Sequence, residues 1–299
     1  MPDTLAPGLY LVATPIGNLG DITLRALEVL KSADRIACED TRQTQKLLNH
    51  YGIATPTISY HEHNERDRAA KLIEELKSGA RIAVVSDAGM PGISDPGCVL
   101  VREAIAARVS VIPIPGANAA LSALIASGLP TDDFHFLGFL PEKAGARRTR
   151  LESIAETPRD TAQTVILYEA PHRIADTLAD LEAVFGPALR VVAARELTKL
   201  HEEFLRGTVA EVRAQLAARD RIRGEFVLLI EAPTTSGAAL SGEKGLLNGT
   251  GESISDQVKR LQTESNLDEK EALKRLARES GKSKSELYRE LQRERAKRK

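Results

Sequence analysis

Tryptophan is absent from this chain, and cysteine and methionine occur twice each among its 299 residues. Two cysteines, Cys38 and Cys98, make no disulfide framework, so both read as small buried residues in a reducing cytoplasm. No apolar stretch approaches the ~18–20 residues that span a bilayer. The segment MPDTLAPGLYLV lacks the basic start and long apolar run of a secretory leader. Several catalytic signatures are missing as well. Gly89, Gly92 and Gly97 are wrongly spaced for a dinucleotide fingerprint, and Leu276 stands where a phosphate loop ending in Gly281-Lys282-Ser283 needs its first glycine. No G-x-S-x-G elbow occurs. His61 and His63 flank Glu62 without the spacing of a zinc helix or a supporting cysteine cluster. The residues therefore argue for neither covalent catalysis nor a metal.

What is present is an ordinary soluble composition, 42% hydrophobic and 28% charged. The length suggests two domains with room for an appendage. The net charge of −1 conceals a skew. From Ser241 onward 15 basic residues face 11 acidic ones, and from Lys274 to Lys299 the ratio is 11 to 4. A slightly acidic body with a basic tail suggests a polyanionic partner for the tail.

The first half alternates strand and helix signals. Strands are expected at 8–14, 35–38, 57–60, 81–87 and 110–115, and helices at 22–33, 66–79 and 99–107. That βαβ rhythm predicts a parallel sheet covered by helices. The second half reads differently, with strands at 133–140, 163–170, 189–198, 202–209 and 224–232 and helices at 172–186 and 209–218. The short connection within ARELTKLHEEFLRG predicts an antiparallel hairpin, and hence a mixed sheet. The fold class is therefore α/β with two α/β domains, 1–117 and 118–233. A Gly/Ser/Thr-rich linker at 234–253 and a basic helical tail at 254–299 follow. In the tail, Asp268 and Glu271 have capping-box spacing. Gly281, followed by Ser283 or Ser285, marks a turn into a second helix of helix-turn-helix proportions.

In open α/β sheets ligands sit beyond the carboxyl ends of strands. Here those ends carry the unusual residues: TPIGN (14–18), SDAGMPGISDPG (86–97) and GANAA (116–120). Small residues let a ligand approach the backbone closely, and Asp87 is a polar anchor for a ribose or an amine. Three such loops in one domain predict a small-molecule pocket.

Taken together, TPIGNLGDITLRAL, EDTR, SDAGMPGISDPG, PGANAALSAL, LYEAPHR and RELTKLHEE resemble the ribosomal RNA small-subunit methyltransferase I family of the tetrapyrrole-methylase superfamily. The resemblance covers roughly residues 8–232. It implies two domains with S-adenosylmethionine bound in the cleft between them. It implies as acceptor the ribose 2′-hydroxyl of one cytidine (cytidine 1402 in the usual numbering) in the decoding region of 16S rRNA. It also implies a cytoplasmic homodimer, and the residues themselves give no reason to expect a metal or a membrane. By motif, Pro15, Ile16 and Gly17 would lie near the donor, and Asp87, Met90 and Ile93 would contact its ribose and amino-acid portion. Asn118, Ala119, Tyr168 and Glu225 complete the implied donor site.

A ribose hydroxyl needs a proton acceptor, which a carboxylate, His or Lys supplies. The candidates are Glu39, Asp40 and Arg42 in EDTR, Glu169 and His172 in LYEAPHR, and Arg195, Glu196 and Lys199 in RELTKLHEE. The expected division gives Glu169 or Glu196 the hydroxyl. Arg42, Arg173 and Arg195 take RNA phosphates, joined by the Arg147, Arg148 and Arg150 cluster. Two alternatives stay open at this point: a tetrapyrrole methylase acting on a precorrin-like macrocycle, and a non-catalytic rRNA-binding assembly factor.

Overall fold

Two alternating apolar patterns, each buried on both faces, build two sheets. The computed structural model describes residues 5–61, 63–157 and 160–232, together with 258, 262, 268, 270–273 and 291. The chain divides into two units, Met1–Ser241 and Gly242–Lys299.

In the first unit, β1 (Gly8–Val12), β2 (Arg35–Cys38), β3 (Thr57–Ser59), β4 (Arg81–Val85) and β5 (Val111–Ile114) form an all-parallel sheet in the order β3-β2-β4-β1-β5. Alternate side chains point to opposite faces of a strand. Tyr10, Val12, Ala83 and Val85 pack on one face with α1 (Leu24–Ser32) and α2 (Thr41–His50). Leu9, Ile82 and Val84 pack on the other with α3 (Glu65–Lys77) and α4 (Cys98–Ala106). The strands read as near-continuous apolar runs because both faces are covered.

The second sheet has the order β6-β7-β10-β8-β9, from β6 (Phe134–Phe139), β7 (Gln163–Glu169), β8 (Arg190–Arg195), β9 (Glu203–Thr208) and β10 (Phe226–Ala232). β6 runs parallel to β7, and the other pairings are antiparallel, including the β8–β9 hairpin. One face packs on α6 (Ala144–Glu156), α7 (Ile174–Phe185) and α8 (Val209–Ala217) through Val165, Leu167, Val191, Leu228 and Ile230. Thr208 and Glu211 form a reciprocal capping box at the start of α8. The other face, with Ile166, Val192 and Leu229, is covered by α5 (Ala119–Ser127) through Ala120, Ala123 and Leu124.

Three helices were not expected from the sequence. α2 buries only Thr44 and Leu48, too few for a periodic signal. α5 is apolar all round, so its sequence shows no amphipathic contrast. α6 is preceded by Lys143, which provides no side-chain cap. Otherwise the expected strands and helices stand at their positions, with ends shifted by a few residues. Of the two cysteines expected to be buried, Cys38 on β2 is, but Cys98 is exposed because it opens the first turn of α4.

α6 and α7 are joined by a buried ion pair. Arg147 Nε lies 2.7 Å from Asp180 Oδ2, with both side chains almost fully buried, and Arg148 Nε lies 2.6 Å from Asp180 Oδ1. Arg147 also donates to the carbonyl of Glu142. In the Gly242–Lys299 unit, residues 270–273 are helical, and Asp268 Oδ1 accepts the amide of Glu271 at 2.6 Å, the expected cap. The proposed linker at 234–253 and the turn at Gly281 lie outside the described residues. No helix among the described residues is long and apolar enough to cross a membrane.

The Asp180 pair generates a stability prediction. Asp180→Ala strands the Arg147 guanidinium in the interior and costs about 3–5 kcal/mol in urea unfolding. Arg148→Ala removes a half-exposed partner and costs less than about 1 kcal/mol. Burial pushes the Asp180 carboxyl up, but hydrogen bonds from Arg148 and Arg147 outweigh it and hold it below its ordinary value. Its contribution is therefore complete above about pH 4 and is lost as pH falls through the lower native value.

Candidate active site

The carboxyl ends of β4, β1 and β5 are adjacent, so the three unusual loops gather at one edge of the parallel sheet. At the same edge stand the ends of β6, β7 and β8 and the start of β10, which runs antiparallel to β7 and β8. Between them lies a cleft of about 380 Å³. From the first sheet it is lined by Ile16, by residues 88–90 and 93–95, and by Asn118 and Ala119. From the second come Phe139, residues 168–171, Ala194, Glu196, Leu197, Lys199 and residues 225–227.

Local chemistry explains these loop shapes. Thr14 and Gly89 exchange backbone hydrogen bonds at 2.9 and 3.1 Å, which pins the β1 loop to the β4 loop. Ser86 Oγ donates to the carbonyl of Gly89. Asn118 caps α5 by accepting the amide of Leu121 at 3.0 Å. Tyr168 is packed edge-on between Phe136 and Phe139, with ring centroids 5.0 and 5.7 Å away.

Seven of the ten residues expected at the donor site line this cleft: Ile16, Met90, Ile93, Asn118, Ala119, Tyr168 and Glu225. Pro15, Gly17 and Asp87 do not. Asp87 is exposed, and its Oδ1 accepts the amide of Asp40 at 3.2 Å. Partial desolvation of that carboxyl by the surrounding loop, with the charge of Asp40, pushes it up, against the hydrogen bond from the Asp40 amide. Gly17 instead meets the second sheet. A Cβ there would sit 2.4 Å from Lys199 Cγ, at a φ of +153°. Lys199 in turn bonds Glu196 Oε1 and Glu225 Oε2, each at 2.8 Å.

Both expected proton acceptors are occupied. Glu169 is buried, with Oε2 accepting the Thr177 hydroxyl at 2.6 Å and Oε1 accepting the Ala170 amide at 2.9 Å. Glu196 Oε1 accepts both Lys199 and the Glu225 amide. Burial pushes the Glu196 carboxyl up, but Lys199 and the Glu225 amide outweigh it and leave it below its ordinary value.

Three of the arginines expected to hold RNA are consumed inside the protein. Arg147 is the buried partner of Asp180. Arg173 donates to the carbonyls of Leu140 and Pro141 and lies 3.3 Å from Glu169. Arg195 donates to the carbonyl of Arg223 and pairs with Glu203. Their pairs and carbonyl acceptors lie mostly far along the chain, where motif reading does not reach. Arg42 is exposed on α2 beside Lys46, and Arg148 stays half exposed. The cleft also contains residues not assigned from sequence, chiefly Asp95 and Phe139. The signal for Asp95 was present in SDAGMPGISDPG, but an Asp-Pro pair reads first as a turn.

The Gly17–Lys199 contact is testable by a double-mutant cycle. Gly17→Ala displaces the Lys199 stem and costs about 1–3 kcal/mol. In a Lys199→Ala background the cost falls by about 1 kcal/mol, because the clash is gone. Strict additivity in chemical denaturation would refute the contact.

Residues 8–213 match the family described as Tetrapyrrole (Corrin/Porphyrin) Methylases. Among solved structures, uroporphyrin-III-C-methyltransferase from Thermus thermophilus is similar at TM-score 0.52 and 19% identity, covering 76% of this chain and 94% of that one. A diphthine synthase is similar at TM-score 0.56 and 17% identity, covering 75% and 89%. A further Thermus thermophilus uroporphyrin-III C-methyl transferase, described as complexed with S-adenyl homocysteine, matches at TM-score 0.51 and 18% identity, covering 75% and 97%. These likenesses show the fold. The sequence relatives are nearer. The ribosomal RNA small subunit methyltransferase I of Halalkalibacterium halodurans is 57% identical over 75% of this chain and 75% of its own length. The protein of the same name from Synechocystis is 48% identical over 89% of this chain and 93% of its own. With half of its residues shared across most of both lengths, and with the two-sheet cleft in place, the chain belongs to the ribosomal RNA small subunit methyltransferase I family of the tetrapyrrole methylases.

Proposed function

We propose that this protein moves a methyl group from S-adenosylmethionine to the ribose 2′-hydroxyl of a cytidine in the decoding region of 16S rRNA. The observation that carries the reading is the cleft at the strand ends of both sheets, formed by the loops that the family shares. The relatives supply the acceptor by name, ribosomal RNA of the small subunit. The macrocycle alternative has the broad family description and solved structures below 20% identity behind it, whereas the relatives at 48–57% identity are all named for ribosomal RNA.

The residues fit such a donor. A cleft of about 380 Å³ lies within the range for a nucleoside-sized ligand, roughly 300–1,000 Å³. Its wall is mainly apolar, through Ile16, Met90, Ile93, Ala119 and Phe139, with a few polar groups for orientation. Ile16, Met90, Ile93, Asn118, Ala119, Tyr168 and Glu225 would hold the donor. When bound, it supplies a methyl group activated on a positively charged sulfur. The remaining work of the chain is alignment of the acceptor and exclusion of water, which supplies much of the rate in an in-line transfer. Glu196 and Glu225 fix Lys199 at the rim, and Glu169 ties the end of β7 to α7. Asp87 ties the loop after β4 to the residue that caps α2, through the Asp40 amide.

RNA phosphates meet Arg42 on α2, Arg148 on α6 and the basic tail. The protein works in the cytoplasm as a homodimer. Exposed Leu121 and Ile125 on α5 and Leu24 on α1 are apolar surface that a second copy would cover.

The test uses small subunits from cells lacking this protein, incubated with purified protein and labelled S-adenosylmethionine. Nuclease digestion and mass spectrometry then find the label on one cytidine ribose. Donor binding without any label on the subunit would contradict the acceptor. In RNA-binding titrations, removing residues 242–299 flattens the salt dependence, because fewer counterions are released. An unchanged slope would assign the phosphate contacts to the two-sheet unit alone.

A further inference from the structure

β6 carries an irregularity where it reaches the cleft. Phe136 and Phe139 are three positions apart, so strict alternation would set them on opposite faces of the sheet. Instead the register shifts between Phe136 and Gly138: Phe136 pairs with Ile166, Gly138 with Leu167 and Phe139 with Tyr168. Leu137 is the extra residue, and it packs against the core beneath α6, α7 and α8. Both phenylalanines consequently stand on the face of Tyr168, with ring centroids 5.0 and 5.7 Å from its ring. Bulges are uncommon in parallel pairs and gather beside active sites, where they re-aim a side chain.

The two rings differ in burial. Phe136 packs on the side covered by α5, whereas Phe139 lines the cleft with 55% of its surface exposed. The backbone of Phe139 is held on both sides. Gly138 takes a left-handed φ of +64°, and a Cβ there would lie 2.9 Å from Ser94 Oγ. Leu140 is buried, and its carbonyl accepts Arg173 at 2.8 Å, beside a second bond from Arg173 to the carbonyl of Pro141 at 3.2 Å. An exposed aromatic ring is thus fixed at the cleft by contacts within the protein. β6 is the edge strand of its sheet, so the ring stands on the open side, with β7 between it and the wall formed by Glu225, Phe226 and Val227.

We propose that Phe139 is the stacking platform for the cytosine base of the acceptor nucleotide, an inference that rests on the ribose-methylation reading above. A 2′-oxygen meets a donor inside a cleft when its nucleotide leaves the RNA stack, and unstacking costs free energy. The extruded base then needs a new partner. Aromatic side chains supply one through their flat faces, the usual way in which proteins hold unpaired RNA bases. Phe139 has no hydrogen-bonding group on its ring, so it fixes the plane of the base and leaves the choice of base to other contacts.

The experiment measures labelling of unmodified small subunits, as the second-order rate at subsaturating subunit concentration, for wild type, Phe139→Ala, Phe139→Leu and Phe139→Tyr. Phe139→Ala and Phe139→Leu lose about 5–150-fold, the range set by one base–aromatic stack. Phe139→Tyr keeps the flat ring and stays within about threefold of wild type. Leucine keeps apolar bulk without a flat face, so it separates stacking from simple filling of the wall. Calorimetric affinity for S-adenosylhomocysteine changes less than about threefold in all three variants, which also shows that they are folded. The proposal is overturned if Phe139→Ala or Phe139→Leu keeps its rate within about threefold of wild type. It is also overturned if affinity for S-adenosylhomocysteine falls by the same factor as the rate, which assigns the ring to the adenine of the donor. Failure of the wild type to label any subunit overturns the ribose reading itself, whereas a labelling wild type with an equally active Phe139→Ala overturns Phe139 alone.

Discussion

The passage of the chain from one sheet to the other sets the geometry of everything at the cleft. β5 ends at Ile114, and Asn118 caps a helix whose buried side packs on the second sheet. The first turn of α5 therefore belongs to the cleft wall while its body belongs to the opposite core. Arg206 on β9 closes the other end of α5 by donating to the carbonyls of Ala126 and Ser127, where a cation also suits the helix dipole. With α5 fixed, the two sheets have one mutual placement, and two close contacts record it: Gly17 against Lys199 and Gly138 against Ser94. Both contacts use glycine at positive φ, where a side chain would meet the neighbour and the backbone would be strained.

Electrostatics then divides the conspicuous charged motifs into two classes. Most of LYEAPHR and RELTKLHEE is internal scaffolding. Arg173 and Arg195 satisfy carbonyls and carboxylates, Glu169 bonds the start of α7, and Glu196 and Glu225 share Lys199. The buried Glu169 has little left for a substrate, because breaking a buried pair leaves an uncompensated charge, whereas Glu225 is mostly exposed. The loop after β4 is the contrast. It carries Asp95, which lines the cleft and forms no ion pair among the described residues, and whose carboxyl is pushed up to about 6 by burial and by the charges of Glu39 and Asp87.

The strands and most helices of the body were legible from apolar runs and caps, and the parallel first sheet followed from their alternation. α5 was not, because AALSALIAS is apolar on every side and its second partner is a sheet still to come in the sequence. The donor loops were legible through their glycines and prolines. The other wall of the cleft was harder to read, because the antiparallel pairing of β10 brings Phe226 and Val227 next to strand ends 30 or more residues away. The same distance hid the fate of Arg147, whose partner Asp180 lies 33 positions on. A basic cluster read locally suggests a phosphate, whereas read in the fold it is half core and half surface.

The claim that both sheets build one donor site is tested most directly by hydrogen exchange on the full-length protein with and without S-adenosylhomocysteine. The account predicts slowed exchange in two sets of segments together: the loops around Gly89–Asp95 and Asn118–Ala119 on one side, and Ala194–Lys199 with Glu225–Val227 on the other. Protection confined to one sheet, or falling outside both sets, would contradict it.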